Sequence, residues 1–213
     1  MARGGSAPPR LQAAGAVGSE NDTVTTSSDM TEILLVAATE LELCGHAGLV
    51  CGIGPVEAAA ATARHLAVER PRAVLHVGVA GGRRLTPGAL VLGTEAVYTD
   101  LAAEIPVVER VEPDPVLLAA VQAAIPEAVS LPIATSAAVS RPSDTTPHGL
   151  RVEGMEGFAV LRACELAGVP AVEVRAVSNE IGEGDRARWM TRRGLDVLDQ
   201  AIPRLLAALE PAE

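Results

Sequence analysis

At 213 residues the chain has the size of one ordinary domain with room for a substantial core, and its net charge of −10 argues against nucleic acid or anionic membranes as partners. Apolar residues make up 48% but aromatic ones only 1%. Packing must therefore rest on Ala, Val, Leu and Ile, which suits a buried sheet covered by Ala-rich helices, and no apolar stretch reaches the length of a membrane span.

Residues 1–30 are rich in Gly, Ser, Thr and Pro and almost free of large apolar side chains, so they read as a disordered tail ahead of a folded domain at 31–213. Met30, directly before the first strand pattern, is a candidate start of the native protein. ILLVAAT (33–39) is a continuous β-rich apolar run, as in a strand covered on both faces. LVCGIG (49–54) reads as a second strand entering a glycine turn, and Pro55 opens a helix through VEAAAATARHLAVE. AVLHVGVAGG (73–82) is another buried strand ending in glycines, and ALVLGTEAVYTD (89–100) is a strand after the turn at Thr86, Pro87 and Gly88. Asp114 and Pro115 start a helix, 131–140 is strand-like, and 141–150 is a loop. Residues 157–167 form an apolar helix, 171–178 a strand and 192–209 a closing helix. Strands alternating with helices predict a single α/β domain whose central, mostly parallel or mixed sheet is flanked by helices.

Several strands end in turns rich in small residues: GIGP at 52–55, GVAGG at 78–82 and SNEIGEG at 178–184. Open α/β sheets bind ligands at such strand ends, although each turn taken singly is equally a structural one. Neither glycine run fits a dinucleotide or triphosphate fingerprint. Carboxylates cluster nearby. Glu40 and Glu42 follow the first strand, and Glu153 and Glu156 stand at a helix start, where the helix dipole favours acids whatever their function. His46, His65, His76 and His148 have no metal-ligand spacing, so no metal is expected. Cys44, Cys51 and Cys164 suggest neither a disulfide framework nor a zinc site and suit a reducing cytoplasm.

ILLVAATELEL, CGIGPVEAAAAT, VGVAGG, PGALVLGTEAVYTDL, VEGMEGFAVLRACELAGVP and VEVRAVSN occur in an order and spacing that resembles the nucleoside phosphorylase/hydrolase superfamily. Within it, the chain is similar to the bacterial nucleosidases that use water, which act on methylthioadenosine, S-adenosylhomocysteine or futalosine. The likeness spans roughly 33–209. It implies a phosphorylase-like fold, no cofactor, a small purine nucleoside as substrate and a homodimer or larger homo-oligomer.

Residue by residue, the resemblance puts the general base that activates water on Glu42, with Glu40 as the alternative two positions away. Gly78, Val79, Ala80 and Gly81 would form the substrate-binding turn. Met155 and Glu156 match a Met-Glu pair in which the glutamate accepts hydrogen bonds from the ribose hydroxyls. Phe158 and Val177 are candidate contacts to the base or sugar. Ser178 and Asn179 match a Ser-Asp pair whose second residue assists the leaving purine at N7. Here an amide replaces the acid: it can donate to N7 or O6 without repelling a carbonyl oxygen, which favours hypoxanthine over adenine. The implied reaction is hydrolysis of futalosine to hypoxanthine and dehypoxanthine futalosine, in menaquinone biosynthesis. Aminofutalosine or methylthioadenosine/S-adenosylhomocysteine cleavage is the alternative, and an inactive nucleoside-binding protein is the alternative of another class.

Phosphate as nucleophile is disfavoured, because no Arg or Lys occurs after the first strand until Arg64 and Val79 gives its turn no hydroxyl. Arg83 and Arg84 are the nearest cations to that turn. One departure is a short connection: only residues 43–48 separate Glu42 from the second strand, which implies a thinner pocket wall there. Trp189 is a candidate for that pocket's mouth or for packing. Asp100 and Glu104 are candidates for the pocket or an interface.

Overall fold

The computed structural model describes residues 32–101, 104–138 and 149–210. The expected tail at 1–30, residues 141–148 of the expected loop, and with them His148, lie outside the described residues. The elements are β1 (Ile33–Ala37), β2 (Leu49–Val50), α1 (Pro55–Leu66), β3 (Ala73–Gly82), β4 (Leu90–Tyr98) and β5 (Arg110–Val111). They continue as α2 (Pro115–Ala124), β6 (Val129–Thr135), β7 (Val152–Gly154), α3 (Gly157–Ala167), β8 (Ala171–Glu180), a 3-10 turn at Arg186–Arg188 and α4 (Thr191–Leu209).

Local chemistry accounts for the element ends. Pro55 opens α1 in the first-turn position that tolerates a missing N–H. Asp114 caps α2, its carboxylate accepting from Val116 N (2.9 Å) and Leu117 N (3.0 Å). Gly168 ends α3 in the left-handed region at φ 66°. The expected second strand stops at Val50 rather than running to the glycine turn, because Gly52 (φ 84°) and Gly54 (φ 93°) already leave extended geometry.

β8 lies parallel to β3 on one side and antiparallel to β4 on the other. β4 pairs in parallel with β6, β6 with β7, and β7 closes back antiparallel onto β3 through Gly81–Glu153 and Gly82–Val152. The five strands β3, β8, β4, β6 and β7 therefore close a ring. Ala80, Val91, Ile133, Val152 and Val177, one from each, pack together within it. β1 and β2 extend the sheet in parallel from β3, and β5 adds to β4 antiparallel. The sheet is mixed because β4 runs against β8, β5 against β4 and β7 against β3; β5 and β7 are too short to show a periodicity in the sequence.

Alternation along the strands sorts the core into two layers. Leu35, Leu75, Val77, Val172 and Val174 pack with Leu198, Ile202 and Leu205 of α4 and Leu117 and Val121 of α2. Val36, Val74 and Ala171 pack with Ala159, Val160 and Cys164 of α3 and with Ala58 and Leu66 of α1. Helices on both faces explain why β1 reads as an uninterrupted apolar run and why β3 and β8 are mostly apolar, with His76 in β3 and Glu173 and Arg175 in β8 as buried exceptions. Cys51 and Cys164 belong to the second layer, and burial pushes both thiols up to about 12.

Candidate active site

A cavity of about 470 Å³ opens at the carboxyl ends of β1, β3 and β8, a size suited to a small molecule. The turn after β1 supplies its first functional group. Thr39 O accepts from the backbone N of Glu42 (3.1 Å) and Leu43 (3.4 Å), winding the chain so that Glu42 turns inward while Glu40 stays exposed. The Glu42 carboxylate is 7% exposed and lines the cavity. One oxygen accepts from Val79 N (2.9 Å) and the other from the Thr39 hydroxyl (2.9 Å). A carboxylate oxygen carries two lone pairs, so each retains one for a ligand or water. Of the two candidates the sequence left open, the structure brings Glu42 to the cavity.

The junction between β7 and α3 supplies the second carboxylate. Glu156 precedes the first residue of α3 but makes no side-chain cap bond. Its carboxylate instead accepts from Gly54 N (3.0 Å) and stands 3.5 Å from the Arg175 guanidinium. Burial pushes its pKa up, a shift that Arg175 and the Gly54 N–H partly offset and that the neighbouring carboxylates reinforce. Met155 lines the cavity beside it. Glu153, expected with Glu156 on a helix start, lies on β7 opposite Gly81: three residues of strand end before the helix begins.

Arg175 was not anticipated. It is wholly buried on β8, where its Nε donates to Glu173 (2.7 Å) and its Nη2 donates to Nε2 of His76 (2.5 Å). His76 Nδ1–H donates in turn to Val36 O (3.0 Å), which fixes the tautomer that leaves Nε2 as an acceptor. Burial, reinforced by the arginine charge, holds His76 well below its usual pKa and therefore neutral. Burial acts to release the arginine proton, but Glu173, Glu156 and Glu42 outweigh it and the guanidinium stays charged. Among the described residues, Nη1 has no hydrogen-bond partner. It lies beside Gly78, where any Cβ would collide with it and would stand 2.8 Å from a Glu42 oxygen.

β8 ends in an irregularity that builds the third corner. Ala80 pairs with Val177 and Gly81 with Asn179, so Ser178 is an extra residue on β8. Consecutive residues of a regular strand face opposite sides; the bulge lets Ser178 and Asn179 line the same cavity. The Ser178 hydroxyl donates to Oδ1 of Asn179 (2.6 Å), and Nδ2 donates to Glu180 O (3.0 Å). With its oxygen engaged and one N–H used, the amide has its second N–H left to donate.

Of the other candidates, Val79, Ala80 and Gly81 line the cavity, whereas Gly78 lies behind the wall and makes room for Arg175 and Glu42. Phe158 is not in the wall: its ring stacks on Tyr98 (centroids 5.3 Å apart) and its N–H donates to the Thr135 hydroxyl (2.8 Å). Val177 points into the ring interior. Arg83, Arg84, Asp100 and Glu104 are not among the lining residues; Arg84 N faces the Glu180 carboxylate instead. Trp189 does line the cavity, and with it Arg186, which the sequence reading did not single out. Across the short connection after Glu42, the wall is formed by Leu41 and Ile53. Among the described residues, no three His, Cys, Asp or Glu side chains converge as metal ligands would.

The chain belongs to the phosphorylase superfamily, whose family model matches residues 43–211. Two relatives at higher identity are both futalosine hydrolases. One, from Streptomyces coelicolor, is 35% identical over 186 residues, covering 76% of this chain and 79% of the relative. The other, from Thermus thermophilus, is 32% identical over 184 residues, covering 76% and 82%. The fold matches that of a 5′-methylthioadenosine/S-adenosylhomocysteine nucleosidase from Colwellia psychrerythraea, solved in complex with adenine. That match has a TM-score of 0.74 and 22% identity, covering 84% of this chain and 95% of that one.

The tight fit around Gly78 gives a direct test. Gly78→Ala drives a methyl group into the Arg175 guanidinium and toward Glu42. It should cost about 2–4 kcal/mol in urea unfolding, the scale of overpacking combined with a disturbed buried ion pair. A midpoint equal to that of the wild type would refute this packing.

Proposed function

We propose that the protein hydrolyses the N-glycosidic bond of a purine nucleoside, with futalosine as substrate and hypoxanthine and dehypoxanthine futalosine as products, a step of menaquinone biosynthesis. The observation that carries this reading is the convergence of two buried carboxylates, Glu42 and Glu156, and the amide of Asn179 on one cavity. The names of the two relatives at 32–35% identity point the same way.

In this reading Glu156 accepts hydrogen bonds from the ribose hydroxyls and stabilises the sugar as it gains positive character. Met155 packs against the sugar, beside the substrate-binding turn of Val79, Ala80 and Gly81. A water held by Glu42 attacks C1′ and passes its proton to that carboxylate while the bond from C1′ to the purine breaks. The Asn179 amide donates to the departing purine at N7. An amide gives up no proton, so the base takes its own from solvent. An N–H donor also tolerates the carbonyl oxygen of a 6-oxopurine, which supports hypoxanthine rather than adenine. Water is favoured over phosphate because the one cation among the described lining residues, Arg186, is exposed, and Val79 contributes no hydroxyl.

We also read the protein as a cytoplasmic homodimer or larger homo-oligomer. Leu41 and Ile53, which line the cavity, are 72% and 61% exposed, and a second subunit covering them would complete the wall that the short connection leaves thin.

Purified protein incubated with futalosine and aminofutalosine should release hypoxanthine in preference to adenine, as read by chromatography. Glu42→Gln should lower kcat by about 10²–10⁴-fold with nucleoside binding retained; undiminished turnover would remove Glu42 from the role of base. Asn179→Asp should move preference toward 6-aminopurines, and an unchanged ratio would count against the specificity argument. Because burial raises the Glu156 pKa, protonation removes the ribose acceptor at a higher pH than for an ordinary glutamate. The acid limb of kcat/KM should accordingly lie above about 4.3, and a limb at or below that value would contradict the assignment.

A further inference from the structure

His76 stands in the middle of β3 between Leu75 and Val77, wholly buried, and the reaction above makes no use of it. It is not among the residues that line the cavity. Its hydrogen bonds run in two directions. Nδ1–H donates to Val36 O on β1 (3.0 Å), so Nε2 keeps its lone pair, and that lone pair accepts from Nη2 of Arg175 (2.5 Å). A protonated ring would turn an N–H toward the guanidinium, so the contact exists only with a neutral imidazole.

The second N–H of the same nitrogen concerns the site. The two N–H bonds of a guanidinium nitrogen lie in one plane at a fixed angle, so once His76 holds the first, the direction of the second is set. That nitrogen stands 3.5 Å from Oε2 of Glu156. Nε is held as well, by Glu173 (2.7 Å), which stops the guanidinium plane from turning. The other Glu156 oxygen accepts from Gly54 N (3.0 Å). Each oxygen of Glu156 is thus steadied from the protein side and keeps one lone pair for the cavity.

The kind of acceptor matters as much as its place. Arg175 already faces the carboxylates of Glu173, Glu156 and Glu42. A further carboxylate at position 76 would accept the same N–H but draw the guanidinium charge away from Glu156, and an apolar side chain would leave that N–H unpaired in a dry interior. A neutral imidazole takes the hydrogen bond and leaves the charge to the carboxylates.

We propose that His76 is a positioning residue for cleavage of the nucleoside: acting through Arg175, it fixes the Glu156 carboxylate in the orientation that receives the ribose hydroxyls. The inference rests on the nucleosidase reading, which assigns the ribose to Glu156, and adds to it a residue that touches no substrate. Its effect belongs to the share of binding that the ribose hydroxyls supply.

The test compares futalosine with its 2′-deoxy analogue, which lacks one of the hydroxyls assigned to Glu156. Wild-type protein should favour the ribonucleoside in kcat/KM, and His76→Leu should shrink that preference by about tenfold, the scale of one hydrogen bond to a charged group. His76→Gln, whose amide oxygen reaches the place of Nε2, should restore the preference; His76→Asn, polar but one methylene shorter, should not. A loss shared equally by both nucleosides overturns the positioning role, as does a preference that His76→Leu and His76→Asn leave intact. If His76→Leu fails to fold, the contrast between His76→Gln and His76→Asn decides the matter. Equal cleavage of the two nucleosides by wild-type protein takes the ribose away from Glu156, and the role of His76 with it. If neither nucleoside is cleaved, the nucleosidase reading fails, and the ratio of their Kd values, measured by calorimetry on wild-type protein, His76→Gln and His76→Asn, decides the positioning role by the same pattern.

Discussion

A guanidinium sealed from water costs several kcal/mol unless its charge and its N–H groups are matched, and Arg175 occupies that position at the centre of this fold. Its partners come from three places in the chain: Glu173 on β8 itself, His76 on β3 and Glu156 at the start of α3. Each contact ties an element of the sheet or its covering helix to the others, and together they aim the carboxylates that face the cavity. Removing Glu173 or Glu156 would break one of the buried ion pairs of the guanidinium, a loss of about 3–5 kcal/mol for a broken internal pair. The same residues therefore bear on stability and on the placement of Glu42 and Glu156. Room for this cluster comes from missing side chains. Gly78 yields to Nη1, and Gly157 lets the Glu173 carboxylate approach the first turn of α3, where the helix dipole favours it.

Several irregular features of the fold serve the cavity. The ring strands carry two register irregularities: one at Thr94 of β4, away from the cavity, and one at Ser178, where β8 reaches the wall. A strand without the bulge would send either Ser178 or Asn179 to the other face, breaking the bond that orients the amide. The positive φ angles of Gly52 and Gly54 end β2 early and turn Gly54 N toward Glu156. Regular pairing supplies rigidity, and a few local departures supply direction.

Much of this arrangement was legible from residue order alone. β3, α2 and α3 were readable to within a residue because each is bounded by a Gly, a Pro or a capping Asp. Glu42, Glu156 and Asn179 were readable through the likeness of their flanking blocks to known nucleosidases. β5 and β7 were not, because two or three residues carry no measurable alternation and exist only through their partners. Glu153 was consequently placed on a helix. Phe158 looked like a ring for a base, yet the helix it opens turns that ring onto Tyr98. Arg175 escaped notice although a signal was present. In VEVRAVSN, Glu173 and Arg175 stand two apart on a strand that is otherwise apolar. That spacing puts both on one face of a covered sheet, where two such charges must pair with each other.

The bond from Met190 N to Ser178 O gives the chain after Asn179 the character of a closed handle. Both of its roots are fastened to the strand that holds the amide, so its span can change length or composition without transmitting that change to the reacting groups. Variation there would be mechanically insulated from the chemistry. A family that keeps one way of breaking a glycosidic bond can in this manner exchange what it recognises beyond the sugar.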